Sequence, residues 1–201
     1  MCGHATAFEL ETKGGGTMAT AATLWTVGHS TRRWEDFIAI LQAAGIEAVA
    51  DVRRFAGSKR HPQFSGQAMA DALPASGIEY VPMPDLGGRR TPAPDSPNDA
   101  WRNAGFRGYA DYMDTAAFRE ARDRLAVLAR DRRTAVMCAE GLWWQCHRGL
   151  VADAFKADGW TVIHLTDAHR CERHPYTQAA RLVDGRLAYS LPPSPQGGLF
   201  D

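Results

Sequence analysis

Five side chains capable of chemistry fall within one short stretch, CAEGLWWQCHR: Cys138, Glu140, Cys146, His147 and Arg148. A thiolate is a nucleophile and a metal ligand. A carboxylate and an imidazole can exchange protons with a reacting group, and a guanidinium holds carboxylate or phosphate with paired hydrogen bonds. If a helix begins at Cys146, its free N–H groups and positive dipole end favour an anion and depress the pKa of a nearby thiol. On this pattern Cys146 is the candidate nucleophile, Glu140 and His147 are candidate bases or orienting partners, and Arg148 is a candidate anion ligand. Neighbouring helical residues diverge by about 100°, so residues 146, 147 and 148 share a site only if the helix starts later. The plain alternative is that both thiols are core, as free cysteines often are, while His147 and Arg148 pair locally. Cys138 and Cys146 lack the Cys-x₂₋₄-Cys spacing of structural zinc sites, so no metal is assigned. A set that also draws on His29 or His164 stays open. The spacing also differs from Cys-x₂-Cys redox motifs and from the Cys-x₅-Arg frame that cradles phosphate.

These residues need a scaffold. Ala135–Cys138 is a short apolar run ending in a Gly turn, followed by an amphipathic pattern through Leu150, Val151, Ala154 and Phe155. That predicts a buried strand, a loop, and a helix over Cys146–Asp158 ended by Gly159. Upstream, Leu24–Val27 reads as strand one. Helix one follows, with Thr31 as its cap, Trp34, Phe37, Ile38 and Leu41 on its buried stripe, and Gly45 as its stop. Ile46–Val52 reads as strand two, Gln67–Ala75 as a short helix bent or ended by Pro74, and Ile78–Met83 as strand three. The four-proline segment Pro84–Ala100 and the continuing WRNAGFRGY lack regular periodicity, and so long a connection is usually functional or mobile. Thr115–Arg130 is helical, Thr161–Leu165 is strand five, and Asp184-Gly185 marks a hairpin.

Alternating strands and helices predict a single α/β domain over residues 23–190. It is a Rossmann-like, three-layer domain with a mostly parallel five-stranded sheet. Residues 1–22 read as a disordered extension and 191–201 as a loose tail. The expected strand order is 3-2-1-4-5. That places a topological switch between strands one and four, where ligands of such sheets bind, and brings His29 against Cys138–Arg148. His29 is therefore a further catalytic candidate and Ser30 a ligand-binding one. Asp51 and Arg53 share a side of strand two and can face the same crevice.

Charge is balanced, with 23 basic and 23 acidic residues, so no global field draws the chain to nucleic acid or membrane. Only Lys13, Lys59 and Lys156 are lysines among the basic residues. Arginine suits bidentate anion contacts, and GC-rich coding gives the same skew. Four cysteines, at 2, 138, 146 and 171, are too few for a disulfide-stapled fold. No membrane-length apolar run or secretory pattern occurs, so a cytoplasmic setting is expected. Gly87-Gly88-Arg89-Arg90 matches no nucleotide fingerprint. With Lys59, Arg60, Arg102 and Arg107 it can still line an anion-binding rim. Trp101, Phe106, Tyr109, Trp143 and Trp144 offer stacking faces.

Six blocks occur in order: TVGHSTR (26–32), DVRRF (51–55), LGGRR (86–90), WRNAGFRGYADYM (101–113), CAE (138–140) and CHR (146–148). Together they make the chain resemble the domain of unknown function 488 family over about residues 24–190. The resemblance implies a compact single-domain α/β protein of bacterial or archaeal type. It implies no particular reaction, cofactor or substrate.

Two functional expectations follow. One is an enzyme acting on a phosphate-bearing small molecule or nucleic acid through Cys146, Glu140, His29 and His147. Its anion ligands would be Ser30, Asp51, Arg53, Arg89, Arg90, Arg107, Tyr109, Trp144 and Arg148. The other is a non-catalytic nucleic-acid or protein-binding module. A third possibility is a fold whose polar residues satisfy one another with no ligand. The sequence assigns neither a cofactor nor an oligomeric state.

Overall fold

A computed structural model describes residues 21–58 and 60–192. The predicted extension, all but its last two residues, the tail beyond Pro192, and Lys59 lie outside the described residues. The strands are β1 (Thr23–Gly28), β2 (Ala48–Asp51), β3 (Glu79–Pro82), β4 (Thr134–Cys138), β5 (Thr161–Leu165) and β6 (Cys171–Arg173), with a hairpin of β7 (Arg181–Val183) and β8 (Arg186–Ala188). The helices are α1 (Trp34–Ala43), α2 (Gly66–Ala72), α3 (Ala104–Met113), α4 (Ala116–Asp131) and α5 (Arg148–Ala157). No described helix is long and apolar enough to cross a membrane.

The main sheet runs β3-β2-β4-β1-β5-β6. Its first five strands are parallel and β6 pairs antiparallel with β5. The sheet is thus mostly parallel, as expected, but the order 3-2-1-4-5 is corrected. β4 inserts between β2 and β1, and a sixth strand is added. The reason is burial. Every residue of β4 is buried, whereas β3 exposes Glu79 and Pro82 and takes the edge. A parallel strand covered on both faces needs a continuous apolar run, which Ala135–Cys138 supplies after the buried Thr134.

Alternating residues of the central strands feed two cores. Leu24, Ala50, Val136 and Cys138 face one containing Tyr109, Phe118, Leu125, Leu150 and Phe155 of α3, α4 and α5. Trp25, Val27, Val49, Ala135 and Met137 face the other, with Phe37, Leu41 and Met69 of α1 and α2. This is a three-layer α/β arrangement.

Local expectations are corrected at four places. The residue capping α1 is Arg33, not Thr31, and it makes no side-chain cap bond. The helix expected to reach Ala75 gives way to a 3₁₀ turn over Leu73–Ser76, because Pro74 cannot continue an α-helix. WRNAGFRGY is not all loop. Asn103 accepts from Gly105 N and Phe106 N and starts α3, which buries Tyr109 and Ala110. Finally, α5 starts at Arg148, two residues later than expected, because Cys146 is extended at φ −132°, ψ 144°. The hairpin forms where expected, with Asp184 and Gly185 both at positive φ (49° and 75°).

Candidate active site

The site is built where β1, β2 and β4 end. Gly28 pairs with Cys138 in register, and His29 N and Ser30 N donate to Cys138 O and Ala139 O at 3.0 and 2.8 Å. The loop after β4 crosses directly over the end of β1. A Cβ on Gly28 would lie 1.9 Å from Glu140 O, so only glycine admits this crossing. Arg148, at 2% exposure, reaches back from α5 to donate to Glu140 O and, at 2.7 Å, to Gly141 O. Trp143 stacks on His164 with centroids 4.5 Å apart. The loop is thus clamped from both sides.

The clamp turns Cys138, Cys146 and His147 toward each other. His147 Nδ1 lies 3.8 Å from Cys138 Sγ and 3.7 Å from Cys146 Sγ. Among the described residues these three ligand-capable atoms lie within 4.8 Å of one another. His147 Nε2 is 3.2 Å from Val52 O. A carbonyl can only accept, so Nε2 carries the proton and a neutral ring keeps its Nδ1 lone pair on the sulfurs. Tyr109 backs the imidazole at 5.1 Å between centroids while its hydroxyl donates to Leu86 O. On another side, a Cβ at Gly88 would come within 2.9 Å of Nδ1.

The Cys138 thiol donates to Glu140 Oε2 at 3.0 Å. The neighbouring Cys146, then burial, push the Cys138 pKa well above the usual thiol range, with His147 opposing. Glu140 moves the other way. Burial would raise its pKa, but hydrogen bonds from the Cys138 thiol and other donors outweigh it and the carboxyl is lowered.

Above this group lies a cavity of about 330 Å³. Its floor is Cys138–Glu140 and Gln145–His147, and its walls are Arg53, Arg54 and Phe55, then Gly88 and Arg89, then Asn103, Gly105 and Phe106 at the start of α3. Arg53 is held from behind. Asp51 accepts from its Nε at 2.8 Å and its Nη2 at 2.6 Å, and Tyr80 donates to the same carboxylate at 2.7 Å. Burial works against the Arg53 charge, but the bond and charge of Asp51 prevail and its pKa is raised. Arg54 and Arg89 flank the exposed Phe55 ring at 5.7 and 5.8 Å. Arg89 adopts φ 59°, a costly left-handed conformation for a side-chain-bearing residue. Its carbonyl accepts from Arg54 Nη1 at 3.2 Å.

A family model described as a domain of unknown function, DUF488, matches residues 33–155. The chain belongs to the DUF488 family. No curated protein and no solved structure matches it. The DUF488 segment contains every residue lining the cavity but omits β1 and everything after α5 begins its last turn.

Of the residues predicted for a site, Glu140, Cys146, His147, Arg53 and Arg89 meet at the cavity. The others do not line it. His29 has the parity of Val27, so it enters the opposite core. There it stacks on Phe64 at 4.4 Å and lies 3.2 Å from Arg53 Nη1. Burial, its largest influence, holds its pKa down at about 4. Asp51 sits behind Arg53, Ser30 occupies a positive-φ turn beneath Gly141, and Arg148 is committed to the loop carbonyls. Arg90 covers the Tyr112 ring at 3.5 Å, and Arg107 donates to Trp101 O. Tyr109 is buried behind His147, and Trp144 is half exposed against Trp143.

Arg54, Phe55, Asn103 and Gln145 also line the cavity, beyond the residues the sequence singles out for it. Two signals pointed to them. Arg54 and Phe55 end the DVRRF block, and Asn103 precedes an apolar i, i+3, i+4, i+7 pattern at Phe106, Tyr109, Ala110 and Met113.

Proposed function

We propose that this DUF488 protein is a cytoplasmic enzyme acting on a phosphate-bearing small molecule. The substrate is held by arginines, and its reacting end rests against Cys138, Cys146 and His147. The observation that carries this reading is the convergence of two sulfurs and an imidazole nitrogen within 4.8 Å on the floor of an arginine-lined cavity. Anion binding alone calls for donors. It does not call for a buried pair of thiols facing an imidazole nitrogen beside a carboxylate. Such perturbed, mutually facing groups in a cleft mark reactive sites.

Size and charge favour a small ligand. A cavity of about 330 Å³ falls at the lower end of small-molecule sites. Arg54 and Arg89 at its mouth can neutralise one phosphate group, while the Arg53 guanidinium is turned away to Asp51, Phe64 O and His29. A nucleic-acid binder that gains its affinity from the backbone contacts about 6–10 phosphates, and the balanced charge of the chain supplies no net positive field to draw one.

Calorimetry with inorganic phosphate and simple phosphate esters at low salt tests the binding. The wild-type protein binds, and Arg54→Ala/Arg89→Ala binds about tenfold or more weakly, as expected on losing charge-assisted bonds. A panel of phosphate-bearing compounds tests turnover, which Cys146→Ser abolishes. Tight oligonucleotide binding with no affinity for small phosphates would overturn the reading in favour of a binding module.

A further inference from the structure

We infer that Cys138 Sγ, Cys146 Sγ and His147 Nδ1 form a binding site for one zinc ion. Its fourth, exchangeable position faces the cavity.

The dimensions fit. Zinc–sulfur bonds of about 2.3 Å and zinc–nitrogen bonds of about 2.0 Å at the tetrahedral angle place sulfur and nitrogen about 3.5 Å apart, and two sulfurs about 3.8 Å apart. The observed S···Nδ1 separations are 3.8 and 3.7 Å, with every pair inside 4.8 Å. The two S···Nδ1 pairs therefore need shifts of a few tenths of an ångström and the two sulfurs close by at most about 1 Å, which side-chain rotation supplies without rearranging the loop.

The surroundings fit as well. A metal-binding imidazole is normally fixed by donating its other ring N–H to a carbonyl or carboxylate, and His147 Nε2 has Val52 O at 3.2 Å. Tyr109 and Gly88 confine the ring from two further sides. Both sulfurs are almost wholly shielded, at 4% and 3% exposure. Two thiolates buried together beside the Glu140 carboxylate would repel one another, and a divalent cation cancels that charge. Two thiolates and an imidazole are a soft, mixed donor set suited to zinc.

Three protein ligands with one position left for water or substrate is the arrangement of catalytic zinc, whereas structural zinc has four. All three ligand residues line the cavity, alongside Glu140 and Arg53. Only the use of the fourth position rests on the substrate reading above. An oxygen of the anionic substrate would take that position while the arginines hold the rest of it.

The test uses the full-length protein, reduced and freed of metal with a chelator. Zn²⁺ is titrated against a chelating indicator, and Co²⁺ is added separately to read absorption. One equivalent of Zn²⁺ binds, and Co²⁺ gives sulfur-to-metal charge-transfer bands with the intensity of a tetrahedral site. Cys146→Ser and His147→Gln each lower Zn²⁺ affinity by more than the roughly 10–100-fold that loss of an outer-shell partner costs. Cys2→Ser and Cys171→Ser leave it unchanged. If a ligand variant does not fold, the wild-type Co²⁺ spectrum decides alone. Absence of those bands, unchanged affinity in folded Cys146→Ser, or a Cys138–Cys146 disulfide that persists under reducing conditions would overturn the zinc site. Phosphate binding without zinc binding sinks this inference and leaves the substrate reading standing. Zinc binding without phosphate binding does the reverse.

Discussion

Replacing Asp51 with Asn removes one charge from a buried pair and leaves the other in place. Asp51 and Arg53 are 2% and 8% exposed, and the carboxylate accepts Arg53 N at 3.1 Å besides the two guanidinium bonds and the Tyr80 hydroxyl. In Asp51→Asn, Arg53 loses its counter-charge and the acceptor for Nη2, and keeps the amide oxygen, Phe64 O, His29 and the sulfur of Met69 as partners. Removing one member of a buried pair costs about 3–5 kcal/mol. At about 2–4 °C per kcal/mol for a chain of this size, the melting temperature falls by about 6–20 °C. Arg53→Met also destabilises, because it strands the carboxylate. The double variant Asp51→Asn/Arg53→Met loses less than the sum of the two single changes, since it leaves no unmatched charge. Urea denaturation of all four proteins closes the cycle. A coupling below about 0.5 kcal/mol, or a loss below about 1 kcal/mol in Asp51→Asn, would refute the reasoning. It would mean that something other than Asp51 holds the Arg53 guanidinium in its buried place beside Phe64 and His29.

Two further outcomes follow from burial and close approach. His29 is held neutral by burial, facing Arg53, Asp51 and, further off, His61, with its pKa lowered from 6.5 to about 4. The unfolded chain therefore takes up a proton that the folded chain refuses. Stability is intact above pH 6.5 and falls as pH drops toward about 4, by at most about 3 kcal/mol. His29→Gln should flatten that part of the urea-midpoint profile, and an unchanged slope would contradict the assignment. Gly28→Ala forces a methyl group against Glu140 O. It should cost at least the roughly 3 kcal/mol at the top of the overpacking range and also disturb the Cys138–His147 geometry. A melting curve matching wild type would show that the loop yields freely.

Much of the fold was legible because periodicity and punctuation agreed. The stops at Gly45 and Gly159, the stripe of α4 and the turn at Asp184-Gly185 all carried local signals. Strand order did not, since it depends on which strand can be buried on both faces. TAVMC is apolar enough for the centre and EYVP polar enough for the edge, whereas adjacency in sequence favours the order 3-2-1-4-5. α3 was obscured by Gly105 and Gly108, which lower helix propensity, while its Asn103 cap and apolar stripe were visible. His29 illustrates how a correct location can carry the wrong face. It sits at the end of β1 as expected, yet strand parity sends its ring away from Cys138. The thiols show the reverse. Spacing rules for zinc describe ligands on one short turn, whereas here one ligand ends a strand and two precede a helix, and only the loop's path over Gly28 unites them.

The position of β1 has a consequence for any attempt to express the matched segment by itself. β1 lies between β4 and β5, pairing with both, yet it precedes residue 33, where the DUF488 match begins. A fragment spanning 33–155 would leave β4, wholly buried in the full chain, as an open sheet edge with unpaired N–H and C=O groups. Edges of that kind recruit other chains. The fragment should aggregate or be degraded, even though it contains every residue around the cavity. The unit that sequence comparison recognises is smaller than the unit that can fold.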